Sequence, residues 1–195
     1  MKKKWCIPSI MLLILALTGC GKLATEATEV PVITFDGTEI TLGKSKLSEL
    51  NGAGFTQVDS EYGFKGDSLE GMTFSPDLYY FTKGEEQQYA GLALLNEARE
   101  QKPIEECSIY RVSYDMNLPN TSIVYPDILI NNVNYRGYSL DQVKETMEGK
   151  KIRSEDKRFI MYDDGEYKYT FDFGDDGTVV SINLEKDFPK YFPQP

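Results

Sequence analysis

The chain has 195 residues, with 31 Asp+Glu against 21 Lys+Arg and no histidine, for a formal charge of −10 at pH 7. That balance excludes a phosphate-reading nucleic-acid binder, which needs a basic face. The lack of histidine excludes Ser-His-Asp and Cys-His catalysis and histidine-ligated zinc, and 13 tyrosines and 10 phenylalanines exclude a wholly disordered chain.

Lys2, Lys3 and Lys4 precede an apolar run from Trp5 to Leu17. A basic start, a short apolar core and small residues at its end describe a secretory signal over residues 1–19. The run is shorter than the roughly 20 apolar residues a membrane-spanning helix needs. It closes on Leu17-Thr18-Gly19-Cys20, where small Thr18 and Gly19 leave the backbone open to a peptidase and Cys20 offers a thiol. This quartet resembles the lipobox of bacterial lipoproteins. The resemblance implies cleavage before Cys20, a diacylglycerol thioether on that cysteine, and residence at the extracytoplasmic face of a cell membrane. Two or three acyl chains anchor firmly, at about 0.8 kcal/mol per buried CH₂. Cleavage removes three lysines and no acid, leaving 18 Lys+Arg against 31 Asp+Glu, or −13.

With Cys6 in the signal and Cys20 lipidated, Cys107 has no partner for an intramolecular disulfide. Its setting, Cys-Ser-Ile-Tyr-Arg-Val, is strand-like, which predicts a buried, inert thiol.

Residues 20–31 are small and polar and read as a flexible tether. A first module is expected over 32–114. Val32–Phe35 and Thr38–Leu42 flank Asp36-Gly37, a hairpin signal. Lys46–Asn51 reads as a short helix with Ser45 as its cap. Residues 56–77 give no readable element, and runs at 78–82, 88–95 and 106–114 predict a three-stranded antiparallel meander. Residues 115–127 hold Pro119 and Pro126 and read as a linker.

A second module is expected over 128–195. Ile128–Ile130 meets the turn-favouring pair Asn131-Asn132, and Ser139-Leu140-Asp141-Gln142 is a capping box opening a helix. Gly149 ends that helix, with Lys150 and Lys151 suited to its negative end. Strands follow at 159–162, 167–173 and 178–184, with turns at Asp163-Asp164-Gly165 and Asp175-Asp176-Gly177 and an aromatic, Pro-broken tail. Both halves read hairpin, helix, three strands: Leu47 and Leu50 match Leu140 and Val143 at an offset of 93. The expected class is α+β, two similar modules each packing a short helix on an antiparallel sheet.

Gly137-Tyr138-Ser139-Leu140-Asp141-Gln142-Val143, then Tyr167–Phe171, then Asp175–Ile182 resemble the module of beta-lactamase-inhibitor-like proteins and small outer-membrane-assembly lipoproteins. The resemblance covers residues 128–185 and, more loosely, 32–114. It implies a short helical segment on one face of an antiparallel sheet. Glu148-Gly149-Lys150 stands where that family has Gly-x-Pro, and no binding residue carries across.

No phosphate-binding or dinucleotide glycine motif occurs, and no cofactor is implied. Asp172–Gly177 fails as a calcium loop, with Gly174 at loop position 3 and Asn183 in place of the bidentate Glu at loop position 12. Tyr167, Tyr169, Phe171 and Phe173 alternate with Lys168, Thr170 and Asp172. The aromatic stripe predicts a buried face, which leaves Lys168, Thr170 and Asp172 on an open one. The function this predicts is a non-enzymatic, membrane-anchored binding module for a protein or envelope polymer. A small solute-binding lipoprotein of a transporter and a cell-wall hydrolase are the alternatives.

Overall fold

The computed structural model describes residues 27–58, 63–84, 88–116 and 127–187. The signal sequence and Leu17-Thr18-Gly19-Cys20, most of the expected linker and the tail after Asp187 lie outside the described residues.

Strand β1 (Val32–Phe35) turns through Asp36 and Gly37 into β2 (Thr38–Thr41). Both turn residues have positive φ, 45° and 79°, the conformation a two-residue hairpin of this hand requires and glycine tolerates. Helix α1 (Leu47–Gly52) follows. Its cap is Lys46 and not Ser45: the Lys46 N–H donates to the Glu49 carboxylate at 3.0 Å, while Ser45 Oγ accepts from Thr41 N at 3.2 Å. The stretch without a readable pattern holds β3 (Thr56–Gln57), β4 (Ser68–Leu69) and β5 (Thr73–Phe74), each two residues long. Then come β6 (Tyr79–Thr82), β7 (Gln88–Asn96), β8 (Lys102–Pro103), a 3₁₀ turn at Ile104–Glu106, and β9 (Ser108–Asp115).

The second half opens with β10 (Ile128–Ile130) and the Asn131-Asn132 turn, again at positive φ. Helix α2 (Leu140–Thr146) has the expected capping box: Gln142 N donates to Ser139 Oγ at 3.4 Å and Ser139 N to Gln142 Oε1 at 2.9 Å. Strands β11 (Lys151–Glu155), β12 (Phe159–Asp164), β13 (Tyr167–Phe173) and β14 (Val179–Lys186) complete the described chain.

These strands overturn the expected α+β class and its two repeated modules. The fold is β-rich: 14 strands against two α-helices of six and seven residues among the described residues. One antiparallel sheet runs β11-β12-β13-β14-β9-β7-β6-β3, with β5 added on β7, so it draws strands from both halves. Its seam is β9 on β14, from Glu185 opposite Arg111 to Ser181 opposite Asp115. The small sheet β10-β1-β2 crosses the halves as well, Ile33 facing Ile130. One cluster of buried side chains extends from Ile33 to Leu184. Helices this short bury only Leu47, Leu50, Val143 and the capping Met147, too little to cover the large sheet. The small sheet supplies Ile33, Phe35, Ile40, Ile128 and Ile130 to the same core, and Phe35 meets Phe81 of β6 edge-on at 5.2 Å. The fold implied by the inhibitor-like resemblance is corrected with it.

Two further differences are local. β11 is exposed along its whole length, so no burial alternation marks it in the sequence. It forms a sheet edge, and a register shift at Arg153 together with Lys151 and Arg153 discourages pairing with other chains. The expected Asp163-Asp164-Gly165 turn is confined to Gly165-Glu166, because Asp164 pairs with Tyr167 as the last residue of β12.

Cys107 is buried and its thiol is pushed up in pKa, first by desolvation. Among the described residues the buried hydroxyls of Tyr114, Tyr162 and Tyr169 have no hydrogen-bond partner, and burial pushes the Tyr162 pKa to about 12.

Candidate functional site

Strand β13 sorts its side chains by parity, as a period of two demands. Tyr167 and Tyr169 are each 1% exposed, Phe171 0% and Phe173 6%, all in the core. Lys168, Thr170 and Asp172 are half-buried on the other face. Strand pairing then brings other residues beside them in three rows.

The first row is a ladder of alternating charge. Lys168 is flanked by Asp163 of β12 and Glu185 of β14, and Glu185 by Arg111 of β9. Arg111 holds Glu185 through Nη2 at 2.8 Å and through Nε at 3.0 Å. Lys168 lies 3.7 Å from Glu185 and also pairs with Asp187. Arg153 of the bulge lies 3.9 Å from Asp163 at the ladder's end. The second row is small and uncharged: Thr170, Asn183, Ser113 and Gly91 follow one another across β13, β14, β9 and β7. The third sets Asp172 and Asp115 either side of Ser181. Desolvation raises the pKa of both carboxyls, the nearby Asp115 raises that of Asp172 further, and hydrogen bonding to Ser181 partly offsets each.

The structure therefore brings Lys168, Thr170 and Asp172 together on one face. Arg111, Ser113, Asn183 and Glu185 were missed as their neighbours. Alternation is visible in Arg111-Val112-Ser113-Tyr114-Asp115, but the pairing of β9 with β14 is not. The face offers a hydrogen-bonding strip between a charge-balanced row and an acidic row.

A second cluster, also missed, lies where β12 ends. The side chains of Lys150 and Asp164 are 6% and 3% exposed and 2.7 Å apart. Lys150 thus serves Asp164 and not the helix end. Burial acts to raise the Asp164 pKa, but hydrogen bonds from Lys150 and from the N–H and hydroxyl of Thr28 outweigh it and leave the value lowered.

A surface depression of about 340 Å³ lies over β1 and β2, bordered by Glu29, Val30, Glu39 and Asn131. It is remote in sequence from the β13 face and holds none of the predicted site residues. Among the described residues no group of three or more Cys, Asp or Glu is arranged to hold a metal ion. Asp176, within the Asp172–Gly177 stretch that fails as a calcium loop, accepts from Thr178 N and Oγ1, both at 2.9 Å, and so shapes its own turn. No described helix is long and apolar enough to cross a membrane. Comparison with protein-family models, curated proteins and solved structures found no match.

Proposed function

We propose that this chain is a lipoprotein anchored through Cys20 at the extracytoplasmic face of a cell membrane, where it binds a protein or envelope polymer without turning it over. The anchor rests on Leu17-Thr18-Gly19-Cys20 and the basic, apolar stretch before it. One observation carries the binding reading: Lys168, Thr170 and Asp172 share the outer face of β13 with Ser113, Asn183 and Ser181 from two neighbouring strands. A broad strip of hydrogen-bonding side chains suits an extended partner more than an enclosed small molecule.

Charge reversal at Lys168 is a poor test, because Glu185 and Asp187 already pair with it. Thr170→Arg and Ser113→Arg obstruct the neutral row instead. Binding of purified protein to isolated cell-wall polymer and to surface-exposed proteins of the host envelope is measured by co-sedimentation and cross-linking. Each variant is expected to lose at least about tenfold in affinity, with stability changed by no more than about 0.5 kcal/mol. Unchanged binding, a small metabolite retained by the folded protein, or wall hydrolysis would overturn the reading. Cys20→Ala tests the anchor separately: detergent partitioning should shift to the aqueous phase, and N-terminal mass spectrometry should lose the lipid.

A further inference from the structure

Asp164 and Lys150 owe their burial in part to the first residues of the described chain. Thr28 donates its N–H to one oxygen of Asp164 at 2.7 Å and its hydroxyl to the other at 2.8 Å. Lys150 Nζ donates to the same Thr28 hydroxyl at 2.9 Å and lies 3.6 Å from the Glu29 carboxylate. Ala27 packs against the core beside them. Residues 27–31 carry no strand pairing, and the chain joins the small sheet only at Val32, whose N–H donates to Asn131 Oδ1 at 2.8 Å.

We propose that residues 27–31 form a releasable strap that sets how far the domain stands from its anchor. The strap's hold is made of hydrogen bonds to charged groups, which water can replace. Opening it leaves Asp164 and Lys150 still paired with each other, so no lone charge is stranded in the core. A sheet strand in its place would open only with the sheet. Closed, the strap leaves eight residues from Cys20 to Thr28, which can span at most about 25–30 Å; open, the twelve from Cys20 to Val32 can span at most about 40 Å. The distances rest on the anchor reading, whereas the strap itself does not.

Native-state hydrogen exchange on the full chain reads the strap directly. In the wild type the Thr28 amide is expected to exchange well below the free-chain rate yet well above the amides of β13. Asp164→Asn should bring it to within about threefold of the free-chain rate while the β13 amides stay protected. Thr28→Val, which loses only the hydroxyl, should move the rate at position 28 part of the way and serves if Asp164→Asn fails to fold. In phosphatidylcholine vesicles bearing an acceptor dye, lipidated protein with a donor on Asp175→Cys should stand farther and less uniformly from the surface when Thr28→Val is added. Free-chain exchange at Thr28 in the wild type, exchange as slow as in β13, or no response to either variant would overturn the strap. Lack of lipid on Cys20 would remove the vesicle measurement and the distances, and leave the exchange result standing.

Discussion

Replacing Lys150 with Met tests what the strap cluster contributes to stability. Met keeps much of the aliphatic stem, and thus the contact with Tyr169, over whose ring the ammonium lies at 5.5 Å. It leaves Asp164, 3% exposed, with two donors from Thr28 and no counter-charge. Removing one partner of a buried pair costs about 3–5 kcal/mol, and the retained Thr28 bonds place this case at the lower end, about 3 kcal/mol. With a slope of about 2 kcal/mol per M, the urea midpoint should fall by about 1.5 M. The pH dependence gives a second check. Asp164 has a lowered pKa in the folded state, so its contribution is present above the unfolded value near 3.9 and fades as pH falls through the folded value. The gap between wild type and Lys150→Met should therefore be full at pH 7 and close towards pH 2. A loss under about 1 kcal/mol at pH 7, or a gap that does not change with pH, would refute the reasoning and assign the effect to packing alone.

Four other outcomes are expected. Asp172→Asn should raise the melting temperature at pH 7, because the carboxyl's folded pKa is raised: its contribution holds below the unfolded pKa and is lost as pH rises through the folded one, so the gain should vanish near about pH 3. Tyr162→Phe removes a buried hydroxyl without a partner among the described residues and should be neutral or stabilising by about 1 kcal/mol in chemical denaturation. Gly71→Ala should cost about 3 kcal/mol or more, since a Cβ there would lie 1.8 Å from the Arg99 carbonyl oxygen. Cleavage within residues 117–126 should leave the two fragments associated on size exclusion, because β9–β14 and β1–β10 hold them together; a freely separating second half would contradict the shared sheet.

Local signals were legible and long-range ones were not. Asp36-Gly37 and Asn131-Asn132 announce their turns because positive φ is a property of those residues themselves. The stripe on β13 is legible because parity alone separates Tyr169 from Thr170. By contrast, nothing in the period of β9 or β14 says that Ser113 will face Asn183, and that pairing turns two apparent modules into one sheet. Strands of two residues, such as β4 and β5, are too short to show any period. Asp164 was misplaced for a related reason: Asp-Gly signals a turn but does not say on which side of the aspartate the turn begins, and because β12 runs on through Asp164 its carboxylate points inward with Ile160 and Tyr162. Of the candidate face, Lys168, Thr170 and Asp172 could be read from one strand, and the residues beside them only from the sheet.

The separation of Thr28 from Asp164, 136 residues, has a consequence in time. At about 5–20 residues per second, synthesis delivers Asp164 some 7–27 s after Thr28. Until Ile128–Ile130 is made, 102 residues after Thr28, β1 has its hairpin partner β2 but not β10. Phe35 can meet Phe81 before then, but Ile33 has no Ile130 opposite it. The first described strand is thus closed late, and a chain stalled between β9 and β10 displays a hairpin whose β1 edge has no partner strand.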